Sequence, residues 1–529
     1  MDMMQRETQA AAPISRTHAA YALGLLTLMY AVSTMDRFIL SILSPQIKLD
    51  FGISDAQLGF LNGTAFAVFY SVFGIPLGKL ADTWVRRRLI AVCMALWSLM
   101  TLASGFTRNF AQLSLVRIGV AVGESAATPS SYSMLPDLFG KDRLATVIAV
   151  YNCGAHIGMG LGIIVGGLVL QWWGALFTPE TAPLGLKGWQ AALLIAALPG
   201  LVLAFFVNRL REPQRGGRDG LPADNSARPQ REFLRELGAV LPVLSTLLLL
   251  RETPVGERAG AARRALLLAI GVVATAALLI AATGDVAQWL VLGLGVYAAG
   301  SWVQHTARRD PVCAQLIFRT RSLRSALLGY GLLTIFSISF SVWAPSYFVR
   351  FHGAENPHIA HALGLMFIIF GSSGMLLGGV LGDKWRQRSP RGYLYLSMLC
   401  IVLAVPLLAG ALFSAGAVAA LAFAAGNILI STFYLSAGPA TVQRLVLPRM
   451  RATTSAIYML MLAGFGSGLG PYSVGLLSDR VTGGDIRFAI LSVCLAAAAL
   501  GIGLLWNASR SIEQDEATLL QRARLAGEV

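Results

Sequence analysis

Uncharged runs of span length, separated by short polar loops, recur along the chain. A membrane-crossing helix needs about 20 mostly apolar residues. The pattern predicts spans near 19–43, 56–79, 89–107, 111–136, 145–170 and 189–208. A stretch beginning NRLREPQRGGRDG, rich in Gly, Pro and charge, then interrupts the series and reads as a linker. A second series follows near 323–349, 360–382, 392–413, 416–441, 453–477 and 486–506. Between the two lie two further uncharged runs, 265–283 and 286–303, flanked by ERAGAARR and ARRD. Basic flanks on both sides predict an extra transmembrane hairpin with both ends cytoplasmic. The run FLRELGAVLPVLSTLLLL (233–250) has a shorter apolar part and contains Pro242. It reads as a helix lying on the cytoplasmic interface.

The two series are related. GKLADTWVRRR (78–88) matches GVLGDKWRQRS (379–389), with Gly, Leu, Asp, Trp and Arg recurring 301 residues apart. ATVIAVY (145–151) followed by GMGLG (158–162) matches ATTSAIY (452–458) followed by GSGLG (466–470). The predicted fold is an all-α integral membrane protein of two parallel six-helix pseudo-repeats plus the central hairpin. Parallel repeats imply a pseudo-two-fold axis along the membrane normal and a site between the halves. The chain divides into an N-terminal cytoplasmic tail (1–18), a six-helix bundle (19–210) and a linker region (211–310). A second six-helix bundle (311–507) and a cytoplasmic tail (508–529) complete it.

Composition agrees. The 529 residues are 55% hydrophobic and 13% charged, with mean hydropathy +0.64; soluble domains carry roughly 25% charged residues. The net charge of +15 follows from basic loops rather than from nucleic-acid binding. Lys79, Arg86, Arg87 and Arg88 fill one loop, and Lys384, Arg386, Arg388 and Arg391 its repeat. Basic loops face the cytoplasm. Both termini are therefore expected there. The expected setting is a bacterial inner membrane and the expected state a monomer. The five scattered cysteines form neither a disulfide frame nor a metal site. His352, His358 and His361 read as a solvated loop, so neither metal nor cofactor is expected. The Gly repeats at 154–167 and 464–470 lie inside spans and serve close packing.

Charges inside spans are costly, at least ~2.5–3.5 kcal/mol each on insertion scales, and usually mark ion or substrate pathways. Asp36 and Arg37 interrupt the first span, in STMDRFIL. Arg117 and Glu124 stand seven residues apart on the fourth, so they share a face about 10 Å apart along the axis. Opposed helix directions put Asp36 and Arg117 at similar depth, with Glu124 nearer the midplane. A carboxylate that exchanges an Arg partner for a proton couples conformation to a proton gradient. Asp36, Glu124 and Arg117 are the proton-coupling candidates, and Arg37 the substrate-binding one. The alternative is that these charges only neutralise each other and pin the helices. Asn152 and His156, one turn apart on the fifth span, join the substrate candidates, although a lone His there is more often packed. The second half offers Ser337, Ser339, Ser341, Trp343, Tyr347, Tyr434 and Tyr458 and almost no intramembrane charge. That asymmetry points to an amphipathic ligand. Asp82 and Asp383, at the cytoplasmic ends of the second and eighth spans, read as an inter-helix gate with Arg86, Arg87 and Arg388.

GKLADTWVRRR and its copy resemble the loop motif of the major facilitator superfamily, with Val85 where that motif usually has glycine. STMDRFILSIL, RIGVAVGESAATPSSYSMLPDLF (117–139), GWQAALLIAALPG (188–200) and PRMRATTSAIYMLMLAGFGSGLGP (448–471) resemble the superfamily's spinster-type group. The likeness covers nearly everything outside 210–310, and the central hairpin departs from the usual twelve-helix plan. It implies a secondary transporter working by alternating access, and Asp36, Arg37, Arg117 and Glu124 match cavity positions of the group. Animal members export sphingosine phosphate or lysophospholipids. The expected cargo is an amphipathic organic molecule, a lipid or lysolipid, moved with protons. A multidrug/proton antiporter is the alternative. An intramembrane enzyme is disfavoured: the chain has no HExxH, GxSxG or CxxC motif. A receptor or scaffold would need no buried charges at matched depth.

Overall fold

A computed structural model describes residues 15–139, 144–178, 180–214, 229–309, 317–353, 357–446, 451–519 and 521. The described chain is helical. The first half holds α1 (Arg16–Phe51), α2 (Asp55–Gly59, a π turn Phe60–Thr64, and Ala65–Thr83), and α3 (Arg86–Ser104). It continues with α4 (Phe110–Glu124 and Ala127–Phe139), α5 (Leu144–Leu176) and α6 (Gly188–Asn208). The central segment forms α7 (Pro229–Val240), α8 (Leu244–Glu252), α9 (Arg258–Thr283) and α10 (Val286–Arg309). The second half repeats the first as α11 (Arg321–His352) and α12 (Pro357–Met366, a π turn Phe367–Gly371, Ser372–Arg388). Then come α13 (Gly392–Phe413), α14 (Ala417–Ser431 and Tyr434–Arg444), α15 (Arg451–Met461, a π turn Leu462–Ser467, Gly468–Arg480) and α16 (Ile486–Ala517).

Among the described residues, thirteen helices are long and apolar enough to cross a membrane. They include α9 and α10 and every core helix except α4; α14 is interrupted between Ser431 and Tyr434, and α4 between Glu124 and Ala127. The α4 break has a local cause. Pro129 lacks an N–H, and its ring crowds the carbonyl four residues back, that of Ser125. The helix accordingly stops at Glu124 and resumes at Ala127. The run at 233–250 bends by 114° between its two helices. Pro242 stands at the bend and Val243 is left-handed there, at φ 65°.

Small residues let the helices close on one another. In GMGLG the outer glycines, Gly158 and Gly162, meet α1 at Ala31 and Met35, while Gly160 meets Gly364 of α12. The copy GSGLG behaves alike. Gly466 and Gly470 meet α11 at Thr334 and Ser339, while the Gly468 carbonyl faces the other half and accepts a hydrogen bond from Thr64 of α2. The repeated motif thus builds the same contacts twice, within each half and across the axis.

The hairpin α9–α10 lies against the seam between α2 and α15. Gly295 packs on Val68 of α2. Gln288, 2% exposed, reaches the Gly468 carbonyl at 3.4 Å. Tyr472 of α15 donates to Asp285 at 2.7 Å and meets Trp289 edge-on. Arg480, at the end of α15, bonds the Ala282 carbonyl at 2.8 Å.

Candidate functional site

The charges of α1 and α4 meet inside the first half. Asp36, Arg117 and Glu124 are 0%, 2% and 1% exposed. Arg37 Nε donates to Glu124 Oε2 at 2.7 Å, and Ser33 Oγ donates to the same oxygen at 2.6 Å. Arg117 sits at the depth of Asp36, as the helix geometry predicts, and its Nη1 donates to the Asp36 backbone carbonyl at 3.1 Å. The Asp36 carboxylate turns elsewhere and accepts from Thr101 of α3 at 3.2 Å. The expected Asp36–Arg117 ion pair is therefore not the one formed; the pair is Arg37–Glu124. The roughly 100° that separates Arg37 from Asp36 on the helix points Arg37 at Glu124.

The site is aromatic as well as charged. The Arg37 guanidinium lies 4.6 Å from the Phe66 ring centre and 5.1 Å from that of Tyr70, both on α2. Tyr30 stacks on Tyr151 at 4.9 Å, and Tyr132 meets Tyr151 edge-on. Tyr132 also donates to Asn152 at 2.8 Å. The aromatic character expected of the second half is shared by the first: α1, α2, α4 and α5 surround the charges with rings. The signal lies in the sequence, since Phe66 and Tyr70 are one turn apart and Tyr30, Ser33 and Arg37 share a helical face.

Several buried polar atoms have no protein partner among the described residues. Among them are Asp36 Oδ1, Glu124 Oε1, Arg117 Nε and Nη2, His156 Nδ1, Tyr458 Oη and the hydroxyls of Ser337 and Ser339. Leaving a buried polar group unpaired costs about 1–3 kcal/mol, more if charged, so each such group calls for an explanation. His156 lies against Gly371 of α12, across the inter-half contact.

The second-half candidates divide. Tyr434 donates to Thr334 at 3.4 Å and stacks with Tyr330, and Tyr458 meets Tyr330 edge-on. Trp343 and Tyr347 stand apart from this group. Trp343 Nε1 donates to the Pro471 carbonyl at 3.0 Å, and Tyr347 Oη to the Ala411 carbonyl at 2.7 Å. Their polar ends are engaged by backbone carbonyls of α15 and α13, so both tie α11 to its neighbours. Ser341 bonds the Ser337 carbonyl one turn back.

At the basic-loop end, the side chain of Asp82 lies outside the described residues. Arg86 is fully buried and pairs with Asp137 of its own half at 2.6 Å and with Glu212 at the start of the linker at 2.8 Å. Arg87 donates to the Asn208 carbonyl. Asp383 accepts from Tyr393 at 2.6 Å. Arg388 is exposed, and among the described residues no ion pair joins it to Asp383. His352 bonds the Tyr347 hydroxyl at 3.0 Å. The side chain of His358 lies outside the described residues, and among those described no cluster of ligands could hold a metal ion.

A tie at the opposite end escaped the sequence reading. Asp55, at the start of α2, receives Lys48 at 2.6 Å, Arg350 of α11 at 2.7 Å and Ser478 of α15 at 3.0 Å. The Asp479 carboxylate accepts from the Asp55 and Ala56 N–H groups at 3.2 and 2.8 Å, where the helix N-terminus favours negative charge. Gly59 completes the contact: a Cβ there would lie 2.6 Å from the Pro471 carbonyl oxygen. Four helices from both halves are joined at this point.

The family model of the Major Facilitator Superfamily matches residues 26–471. An MFS-type efflux pump of Mycolicibacterium smegmatis is 26% identical over 507 residues, covering 95% of each chain. Protein spinster of Drosophila melanogaster is 28% identical over 200 residues, 38% of this chain and 31% of that protein. The crystal structure of a bacterial homolog of the human lysosomal transporter Spinster, inward-facing and unoccupied, superposes with a TM-score of 0.63. That match has 24% identity and covers 97% of this chain and 96% of the other.

Proposed function

The chain belongs to the Major Facilitator Superfamily, and from that premise we propose a proton-coupled carrier of amphipathic organic molecules, acting between its two halves. Membership makes it a multi-pass membrane transporter rather than an enzyme. The observation that carries the finer reading is the buried Arg37–Glu124 pair at 2.7 Å beside the half-satisfied Asp36 and Arg117. A proton on Glu124 removes the charge that holds Arg37. The guanidinium is then available to an anionic group of the substrate, and Phe66 and Tyr70 supply an aromatic wall for the adjoining apolar part. Release of the proton restores the ion pair and expels the anion. Asp36, hydrogen-bonded to Thr101 rather than ion-paired, is the second proton site, and Arg117 tunes both carboxylates. Asn152, His156, Tyr434 and Tyr458 form the remainder of the binding surface; Trp343 and Tyr347 do not.

The tie centred on Asp55 closes one end of the inter-half path. With the basic loops cytoplasmic, this is the inward-facing form of a monomer in a bacterial inner membrane, both termini inside. The α9–α10 hairpin crosses the membrane beside α2 and α15. A lipid or lysolipid is the cargo class that best suits a charged, aromatic-walled site. The efflux pump among the relatives supports a second reading, a multidrug/proton antiporter using the same residues.

Flux in proteoliposomes with and without a pH gradient tests the proposal. Glu124→Gln and Asp36→Asn should each abolish gradient-driven flux while leaving insertion and folding intact. Full gradient-driven transport by both variants would sink the coupled mechanism and leave the charges as structural pins.

A further inference from the structure

The pseudo-two-fold axis creates the same groove twice, at the basic-loop end of each half. In the first half Leu89 and Cys93 of α3 belong to one apolar cluster, against which pack Leu80 of α2 and Trp84, the cap of that helix. In the second half Leu381 and Trp385 of α12 and Leu396 and Cys400 of α13 line a cavity of about 510 Å³. The correspondence is residue by residue. The α2/α12 pairs are 301 apart, as in the repeated loop motif, and the α3/α13 pairs are 307 apart, as in the repeated ATVIAVY motif.

The two grooves differ in what occupies them. The chain fills the first itself: Phe233, on the amphipathic α7, packs into the cluster. The second groove has no such plug among the described residues, and Lys384 and Arg388 stand at its mouth. Both are exposed. Neighbouring cations are matched: Arg386 and Arg444 pair with Glu516, and Arg391 with Glu513. Lys384 and Arg388 face no carboxylate among the described residues.

We infer that the α12–α13 groove binds an anionic phospholipid of the basic-end leaflet, its chain along Leu381, Leu396 and Cys400 and its phosphate between Lys384 and Arg388. An apolar trough under unpaired cations at the membrane interface suits a lipid that carries both features, and long basic side chains reach such headgroups readily. The site lies wholly within the second half, apart from the Arg37–Glu124 pair, and needs no transport cycle. Its fate is therefore independent of the proton-coupled reading, and its test measures binding rather than flux.

Trp385 supplies the readout. The full chain is placed in phosphatidylcholine nanodiscs, and chain-brominated phosphatidylglycerol or phosphatidylcholine is titrated in. Trp385→Phe provides the background. Quenching assigned to Trp385 should favour phosphatidylglycerol by about 30-fold, the size expected from two membrane-surface cations. The double variant Lys384→Gln, Arg388→Gln should keep quenching by phosphatidylcholine but lose the preference. Arg251→Gln, an exposed cation at the end of α8, should keep it. Equal quenching by both lipids in the unaltered chain overturns the inference. So does a preference that survives the double variant, or one that Arg251→Gln removes as fully.

Discussion

The two halves share one helix plan and one set of glycine contacts, yet their polar residues have parted ways. At mid-depth the first half concentrates Asp36, Arg37, Arg117 and Glu124, while the second keeps Tyr434, Tyr458 and serine hydroxyls. At the basic end the first half closes its groove with Phe233, while the second leaves the groove open under Lys384 and Arg388. Packing positions follow the duplication because a changed backbone approach would disrupt the helix pair it serves. Gly158, Gly162, Gly466 and Gly470 are such positions. Side chains facing the axis or the lipid are free of that constraint, so new chemistry collects there.

The contrast can be broken most forcefully at the ion pair. Arg37→Ala leaves the Glu124 carboxylate buried with Ser33 as its remaining side-chain partner. Removing one partner of a buried pair costs about 3–5 kcal/mol, which a thermal or denaturant melt in detergent should register. Substrate affinity should fall with it. Pairing Arg37→Ala with Glu124→Gln should recover most of the stability and none of the transport. A double variant no more stable than Arg37→Ala would show that the pair is not energetically coupled.

The end tie gives the next largest effect. Asp55→Asn removes the charge that gathers Lys48, Arg350 and Ser478. Distances between spin labels on the ends of α2 and α15 should shift toward separated values, and an unchanged distribution would deny Asp55 a role in closure.

Phe233→Ala would make the first groove resemble the second. Its ring is only half-buried, so roughly 1.5–3 kcal/mol is an upper bound for the loss, the value for a fully buried phenylalanine. Proteolysis in the 211–229 linker should quicken as α7 loosens. Undiminished resistance would mean that Phe233 does not anchor the segment.

Tyr458→Phe should have the smallest effect on stability and the opposite sign. The Tyr458 hydroxyl is buried without a partner, so deleting it should leave stability unchanged or raise it by up to about 1–3 kcal/mol. Substrate binding should weaken at the same time. A destabilised Tyr458→Phe would show that the hydroxyl serves the fold.

Much of this was legible in the sequence. Span positions, the duplication and the shared depth of Asp36 and Arg117 all follow from helix periodicity and from residue spacing. The identity of the ion pair was not, because one helix's period gives no bearing on its neighbour's rotation. The bonds of Trp343 and Tyr347 were illegible for a related reason: the Pro471 and Ala411 carbonyls that engage them belong to helices distant in sequence. Asp55, which follows the Ser54 cap at the start of α2, was not singled out. Its partners come from positions 350 and 478, and nothing local announces them.

The hairpin has a mechanical consequence. Through α10 it touches Val68 in one half and Gly468 and Tyr472 in the other, on one flank of the molecule. A rocking motion that parts α2 from α15 must strip one of these contacts, whereas the opposite flank, where Gly160 meets Gly364, carries no such strap among the described residues. Deleting 258–309 with a short replacement linker should therefore populate the form open at the Asp55 end, and an unmoved equilibrium would show that the strap follows passively. The two flanks then behave as the jambs of a door: one is hung, and the other swings.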